Sequence, residues 1–470
     1  MNRLLLLFAL LGAAICRAAV PDDQTADSLL RHADWFALDR LLAARGAALS
    51  PAVRLRAQAM TDARFRRFDA SNEAIGALLN DPRTDPEWQG ILLGQLLSNY
   101  RMARNHAAAA DLYAQFRQQN PSPEQQAAYE KAYGFFAVQA ALPPMRLERP
   151  SEAVEIPFRL DSAGRGMLLG IDVRIDGRTA PFIIDTGCAE MSFASEEFAK
   201  EHNIRPLDYE LALSGVGGSQ QSRLGVADSL QIGPMTLYNA VFVISDAPMF
   251  GSSDRIDAVL GCNFLFEAGI VEVLGAQRLL RFPAEDEPAD QGFPNMYMDN
   301  NGLCYIRAEA DGHPVRMQFD SGNTKSTLSD VYFDKYREEI EAAATEQEFR
   351  TGGIGGTQES RAYVKPAVAI GIDGIRCPLY GVEITYATQL AHETGEDGSL
   401  GADFLLACDR VRIDYKAMRI TLSGKDIQKM LHTTPQPAHA IPPYEQRSTS
   451  VWQSKNRRAA ININVGPATR

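Results

Sequence analysis

The spacing of apolar positions divides the chain into a helical first part and a longer second part rich in β-strands. Between about residue 22 and residue 141, apolar side chains recur at helical spacing, for example at Leu38, Leu41 and Leu42. A capping residue followed by proline, which is typical of a helix start, occurs at Ser50-Pro51, Asp85-Pro86 and Ser122-Pro123. The pattern predicts a helical domain over residues 22–145, built from successive helical hairpins.

One stretch of this helical part resembles a tetratricopeptide repeat. The matching positions are Trp88, Gly94, Ala109, Tyr113, Phe116 and Pro121. The match covers a single repeat and has about three extra residues in its middle. A repeat-like array and another small helical bundle therefore both stay open, and in either case the domain is a candidate docking module for another protein.

After Pro150 the pattern changes to short runs of β-forming residues separated by turns. The same order of strands and turns returns after an acidic, proline-bearing linker at residues 283–294. The repetition predicts two all-β lobes, over residues 152–283 and 294–424. The polar, proline-rich residues 425–470 are predicted to form a mobile tail. The fold class is thus α+β and multidomain.

Both predicted lobes contain an apolar strand that runs into an aspartate, a hydroxyl residue and a glycine. These triplets are Asp185-Thr186-Gly187 and Asp320-Ser321-Gly322, and their aspartates are 135 residues apart. Three further glycine pairs are separated by 135, 138 and 140 residues, namely Gly177 and Gly312, Gly217 and Gly355, and Gly261 and Gly401. Offsets that agree this closely and drift in one direction indicate two copies of one unit.

Two carboxyls at the ends of equivalent buried strands can hydrolyse a peptide bond without a metal. Ionising a lone buried carboxyl is costly, and two adjacent carboxyls share one proton. The ionised member accepts a proton from water while the protonated member polarises the scissile carbonyl. Asp185 and Asp320 are therefore the predicted catalytic residues.

The residues after each aspartate have predicted supporting roles. Gly187 and Gly322 allow a tight turn in which the backbone approaches the carboxylate. The hydroxyls of Thr186 and Ser321 are placed to hydrogen-bond between the two turns. An ordinary strand-end turn is the alternative interpretation of either triplet taken alone.

Each predicted lobe also has a glycine-rich tip between two strands, which we interpret as a flap that closes on substrate. The glycines of the two tips are Gly215, Gly217 and Gly218 in the first lobe and Gly353, Gly355 and Gly356 in the second. An ordinary glycine-rich hairpin loop is the alternative.

Together these motifs make residues 154–422 resemble bacterial retropepsin-like aspartyl peptidases. The resemblance implies a pseudo-dimer of two fused lobes, each supplying one triplet, one flap and one apolar-apolar-glycine element. The last element is Leu260-Gly261 in the first lobe and Leu400-Gly401 in the second, where Ser399 departs from the apolar pattern. Two short lobes with matching tips favour this family over pepsin-like enzymes. The resemblance further implies a peptide or protein substrate, no cofactor, and activity as a monomer.

Cysteine usage permits disulfides but does not assign them. Removal of the predicted signal peptide leaves five cysteines, so at least one thiol stays unpaired; they are Cys188, Cys262, Cys304, Cys377 and Cys408. Cys188 and Asn323 stand where relatives in this family often have alanine. We interpret Cys188 as a small buried apolar residue, with a redox or disulfide role beside Cys262 as the alternative. The cysteine spacings fit no zinc site.

The N-terminal sequence and the net charge limit where the protein can be located and what it can bind. Residues 1–19 read as a signal peptide, with Arg3, an apolar run over residues 4–15, and Ala18-Ala19 as the cleavage site. A lipoprotein signal ending at Cys16 is disfavoured because Ile15 precedes it. No other run is long and apolar enough to span a bilayer. The net charge of −12 argues against a nucleic-acid partner, because phosphate binding needs a basic face and none appears in the sequence. The protein is expected to be exported, either periplasmic or secreted.

The sequence leaves three hypotheses for the function of the protein. The leading hypothesis is an exported aspartic endopeptidase. The second is a catalytically weak or inactive retropepsin-like protein that binds peptides and uses its helical domain for interaction. The third is a scaffold in which the helical region dominates, which leaves the paired motifs unexplained.

Overall fold

The computed structural model describes residues 21–118, 121–163, 166–215, 218–245, 256–353, 356–386, 395–423 and 454–455. The predicted signal peptide and, apart from residues 454–455, the predicted tail lie outside these residues. The chain forms two compact units, Met1–Asn99 and Tyr100–Arg470. The helices that follow residue 99 therefore belong to the same unit as the strands, whereas the sequence pattern grouped them with the helical domain.

The N-terminal part is helical, as expected. Its helices are α1 (Pro21–Arg31), α2 (Trp35–Arg45), a short 3-10 helix (Gly46–Ala48), α3 (Pro51–Arg64), α4 (Phe68–Leu79), α5 (Pro86–Met102), α6 (His106–Arg117) and α7 (Pro123–Ala140). The three predicted proline starts are observed, and Ser122 forms a capping box with Gln125 at the start of α7. In the first unit α3 packs on α4, around a core that includes Ile75 and Leu92.

The first large sheet of the second unit contains nine strands. They are β1 (Arg146–Glu148), β3 (Arg159–Ala163), β4 (Gly166–Ile175), β5 (Arg178–Ile184), β6 (Ser192–Ser195), β7 (Arg205–Gly215), β8 (Gly218–Ile232), β9 (Met235–Ser245) and β10 (Ala258–Leu260). The strand order is β1-β9-β6-β10-β5-β4-β8-β7, and β3 pairs with β4. Because β8 also pairs with β9, six of these strands form a closed ring.

The second large sheet repeats this arrangement. Its strands are β13 (Met296–Met298), β14 (Cys304–Ala310), β15 (His313–Phe319), β16 (Thr327–Leu328), β17 (Thr345–Gly353), β18 (Gly356–Ile372), β19 (Ile375–Thr385), β20 (Gly398–Leu400) and β23 (Ser454–Lys455). The order is β13-β14-β15-β20-β16-β19-β18-β17-β23, and β14 also pairs with β18. The ring β14-β15-β20-β16-β19-β18 thus matches the ring β4-β5-β10-β6-β9-β8 strand for strand.

A five-stranded sheet joins the two halves. It contains β2 (Val154–Pro157), β12 (Leu279–Phe282), β11 (Ile270–Leu274), β21 (Arg410–Asp414) and β22 (Arg419–Ser423), in that order. Strands β11 and β21 come from different predicted lobes and pair antiparallel, with Val271 opposite Ile413. The backbone hydrogen bonds of this sheet therefore tie the two predicted lobes together.

In the described part of the β-rich region, helices that follow strands are α8 (Glu196–Glu201), α9 (Cys262–Ala268), α10 (Asp330–Ala343) and α11 (Ala402–Ala407). A disulfide links Cys377 in β19 to Cys408, just after α11, while Cys188, Cys262 and Cys304 are buried and lie outside this disulfide. Among the described residues, no helix combines the length and apolar character needed to cross a membrane.

Candidate active site

The two aspartates lie at the ends of equivalent strands, each held by a neighbouring short strand. Strand β5 runs parallel to β10, and the N–H of Asp185 donates to the carbonyl of Leu260 at 3.1 Å. Strand β15 runs parallel to β20, and the N–H of Asp320 donates to the carbonyl of Leu400 at 2.9 Å. The predicted apolar-glycine elements therefore place the backbone of each aspartate.

The hydroxyl residues of the two triplets hydrogen-bond reciprocally. The N–H of Ser321 donates to Oγ1 of Thr186 at 2.8 Å, and the N–H of Thr186 donates to Oγ of Ser321 at 3.0 Å. Each hydroxyl also donates across the junction, Thr186 to the carbonyl of Phe319 and Ser321 to the carbonyl of Ile184, both at 3.0 Å. All the groups involved are buried, so these bonds hold the two turns in one position.

The two carboxyls meet at the glycines of the triplets. Asp185 and Asp320 are both fully buried. The N–H of Gly322 lies 3.1 Å from an oxygen of each carboxyl, and the N–H of Gly187 donates to Asp185 at 2.7 Å. A Cβ on Gly187 would overlap the carboxyl of Asp320, and a Cβ on Gly322 would overlap that of Asp185. Each glycine therefore makes room for the aspartate of the other half.

Burial dominates the electrostatics of this pair. It raises the pKa of Asp185 to about 6, against the lowering effect of hydrogen bonds from Gly187, Asp320, Gly322 and Cys188. Burial, followed by the charges of Asp185 and Asp320, raises the pKa of the Cys188 thiol. A carboxyl whose pKa is raised into this range holds its proton in mildly acidic solution.

The predicted glycines after Leu260 and Leu400 pack against the loops that follow the aspartates. A Cβ on Gly261 would overlap the carbonyls of Cys188 and Met191, and one on Gly401 would approach the carbonyl of Asn323 to 2.6 Å. The N–H of Cys262 donates to the carbonyl of Cys188 at 2.8 Å, and that of Ala402 to the carbonyl of Asn323 at 2.7 Å. Close backbone contact thus explains why both positions are occupied by glycine.

Two serines outside the predicted motifs support this contact. Ser192 and Ser326 accept hydrogen bonds from the N–H of Gly261 and Gly401, at 3.4 and 2.9 Å. Their hydroxyls also lie within hydrogen-bond distance of side-chain oxygens at the second residues of α9 and α11, Asn263 and Asp403 respectively. Ser192 and Ser326 lie a similar distance beyond each triplet, and that repeat was the signal available in the sequence.

The residues directly after the triplets are buried and hydrogen-bonded locally. The Cys188 thiol donates to the carbonyl of Met191 at 2.8 Å, and the Cys262 thiol donates to that of Thr186 at 3.2 Å. Cys188 therefore fills a small buried position with its thiol satisfied, as the preferred interpretation expected. Asn323 is fully buried, and among the described residues its Nδ2 has no hydrogen-bond partner.

The glycine-rich tips each join two long antiparallel strands. Gly215 pairs with Gly218 between β7 and β8, and Gly353 pairs with Gly356 between β17 and β18. Gly217 and Gly355 lie outside the described residues. No group of three or more histidine, cysteine, aspartate or glutamate residues in the described ranges is placed to hold a metal ion.

Several solved structures are similar to this chain. An aspartic proteinase from Irpex lacteus is 12% identical over 58% of this chain and 97% of its own, with a TM-score of 0.42. Conglutin gamma, a basic 7S globulin from lupine seeds, is 13% identical over 60% and 97%, with a TM-score of 0.39. A retropepsin-like aspartic protease from Rickettsia conorii is 15% identical over 30% and 94%, with a TM-score of 0.19.

No curated protein matches the chain. Residues 171–264 match the aspartyl protease family. This segment contains the first triplet, the first glycine-rich hairpin and the Leu260-Gly261 element. For this segment, the family match confirms the resemblance to aspartyl peptidases that the sequence motifs predicted.

Proposed function

We propose that the protein is an aspartic endopeptidase whose catalytic dyad is Asp185 and Asp320. The observation that carries this proposal is the reciprocal geometry of the two triplets. One backbone N–H reaches both carboxyls, and each triplet glycine leaves space for the opposite aspartate. Two independent turns would have no reason to be complementary in this way.

The proposed chemistry uses one proton shared by the two carboxyls. The ionised carboxyl accepts a proton from water, whose oxygen attacks the scissile carbonyl carbon. The protonated carboxyl donates to the carbonyl oxygen, and as the C–N bond breaks the other carboxyl passes the proton it took from water to the leaving nitrogen. Because burial raises the pKa of Asp185 to about 6, the pair keeps its shared proton in acid, and activity should fall as the pH rises above about 6.

The repeated strand order supports a pseudo-dimeric peptidase contained in one chain. Each half contributes one aspartate, one short holding strand and one glycine-tipped hairpin. We propose that the two hairpins act as flaps, because hairpins of this kind can close over a bound peptide and exclude water. Because one chain contains both halves, specific activity should be unchanged when the enzyme is diluted.

The dyad is tested by replacing each aspartate with asparagine, which keeps the size of the side chain. Asp185→Asn and Asp320→Asn should each abolish cleavage of a peptide library between acidic and neutral pH. Asp172→Asn, on an exposed side chain of β4, is the matched control and should keep full activity. Cleavage retained by both dyad variants would contradict the proposal. A wild-type chain that binds peptides without cutting them would favour the inactive peptide-binding alternative.

Export through the N-terminal signal is also proposed. The Cys377–Cys408 disulfide supports it, because such bonds persist in oxidising compartments. Cell fractionation tests this directly: the mature N-terminus should begin near residue 20, and the protein should be found outside the cytoplasm. A full-length cytoplasmic chain would overturn it.

A further inference from the structure

We propose that Arg101, at the end of α5, is a positioning residue that holds the loop following Asp185 in its active geometry. The inference rests on the proposed function, since it assigns a role in support of the same dyad. Residues 185–192 are called the catalytic loop below. The helical segment that begins at residue 100 thereby supports the geometry of the active site.

The contact is a buried ion pair. Arg101 donates from Nε to Oε1 of Glu190 at 2.6 Å, and its Nη2 contacts the same oxygen. The two side chains are only 11% and 12% exposed. Glu190 lies five residues after Asp185, within the catalytic loop. Because both side chains are largely shielded from solvent, breaking the pair would leave a poorly solvated charge, so the pair restrains where the loop can lie.

A turn from the second half of the β-rich part closes over the same residues. A Cβ on Gly302 would lie 3.1 Å from Cβ of Ala189 and 3.3 Å from both Cγ of Glu190 and Sδ of Met102. Burial lowers the pKa of Arg101, but Glu190 and then Asp299, at the start of this turn, raise it by more. Arg101 therefore stays charged where the helical segment, the catalytic loop and the turn meet.

The catalytic loop can pass a displacement of Glu190 on to Asp185. The carbonyl of Met191 accepts the Cys188 thiol, and the carbonyls of Cys188 and Met191 both face Gly261. The N–H of Gly187 donates to the carboxyl of Asp185. Loss of the ion pair at Glu190 would let the loop move and would weaken these contacts. Arg101 therefore acts on the dyad through the backbone geometry of the loop.

A neighbouring ion pair provides a matched control. Arg104, three residues further along, pairs with Glu267 near the end of α9, and both side chains are 27% exposed. Arg101 and Arg104 line one cavity of about 380 Å³. Glu267, unlike Glu190, lies outside the catalytic loop. Losing either arginine removes one ion pair from this region, but only the loss of Arg101 releases the loop.

The test compares Arg101→Met, Arg101→Lys and Arg104→Met in the full chain by amide hydrogen exchange and by peptide cleavage. We expect Arg101→Met to speed exchange in the catalytic loop about tenfold or more, and to lower kcat by a similar factor with KM little changed. Arg101→Lys should restore part of the exchange protection and part of kcat, because lysine keeps the charge. Arg104→Met should stay within about twofold of wild type in both measurements.

Equal exchange of the catalytic loop in Arg101→Met and Arg104→Met would overturn the inference. If Arg101→Met does not fold, Glu190→Met removes the acceptor of Arg101 and gives the same comparison. The exchange measurement does not need activity. A wild-type chain without peptidase activity would therefore refute the proposed function, while loop exchange would still decide whether Arg101 positions the loop.

Discussion

Thr186 and Ser321 each give and receive a hydrogen bond across the junction of the two triplets, although 135 residues separate them. Thr186 accepts from the backbone of Ser321 and donates to the carbonyl of Phe319. Its hydroxyl therefore satisfies two buried backbone groups of the other half at once. Buried backbone groups that lose their partners are costly, so this one oxygen stabilises the whole junction.

Replacing Thr186 with valine keeps the shape of the side chain but removes both hydrogen bonds. We expect Thr186→Val to lower the free energy of unfolding by about 2–4 kcal/mol, because two buried backbone groups lose their partner. Thr186→Ser keeps the hydroxyl and should cost only about 1 kcal/mol for the lost methyl group. Equal stability of the two variants would show that the hydroxyl does not hold the junction.

Urea unfolding of the second unit should be followed by circular dichroism. Two of the three tryptophans, Trp35 and Trp88, lie in the first unit, so tryptophan fluorescence would report mainly on that unit. The described strands all lie in the second unit, so the β-sheet component of the circular dichroism spectrum reports on that unit. A change confined to the strand signal would assign the loss of stability to the unit that contains the triplets.

The raised pKa of Asp185 predicts a specific pH dependence of stability. Its pKa is about 6 in the folded protein, well above its ordinary value, because burial disfavours the charged form. Between about pH 4 and pH 6 the folded state therefore binds more protons than the unfolded state, so stability falls as the pH rises through this window. This contribution to stability is fully present below about pH 4 and is lost as the pH rises through about 6.

Asp185→Asn removes this group from the titration. The variant should lose less stability than wild type between about pH 4 and pH 7, and should be the more stable of the two at neutral pH. Asp172→Asn, on an exposed side chain, should follow the wild-type curve. The measurement is urea unfolding at several pH values. Parallel curves for Asp185→Asn and wild type would contradict the assignment of the pH dependence to Asp185.

The triplet glycines should tolerate no side chain. A Cβ on Gly322 would overlap the carboxyl of Asp185, so Gly322→Ala should displace that carboxyl and reduce kcat at least about a hundredfold. Gly187→Ala should act in the same way on Asp320. Gly371→Ala in β18, where a Cβ meets its nearest atoms at 3.4 Å, is the matched control and should keep nearly full activity. Active Gly322→Ala would mean that the carboxyls do not need this close approach.

Several parts of the fold could be predicted because local chemistry determines them. Proline after a capping residue set the starts of α3, α5 and α7, and apolar alternation gave the strands that flank each turn. The strand order of one ring repeats in the other, as the fixed offset between the triplets indicated. Each of these signals depends on a short stretch of sequence.

Contacts between distant segments of the chain have no such local signal in the sequence. Arg101 and Glu190 are 89 residues apart and belong to no repeated motif, so their pairing and the grouping of α6 and α7 with the strands were not foreseen. The pairing of β11 with β21 in a shared sheet also depends on how the two halves pack. The partner of Cys377 could not be chosen either, since five cysteines allow many pairings.

The Cys377–Cys408 disulfide should stabilise the second half of the β-rich unit. It closes a loop between β19 and the end of α11, with a sequence separation of 31 residues. Restricting the unfolded chain over a loop of this length is worth about 3–4 kcal/mol. A thiol reductant should therefore lower the urea midpoint of the wild type, while the double variant Cys377→Ala/Cys408→Ala should start at the lower midpoint and not respond. If thiol counting shows complete reduction and the wild-type midpoint does not move, the disulfide does not stabilise this half.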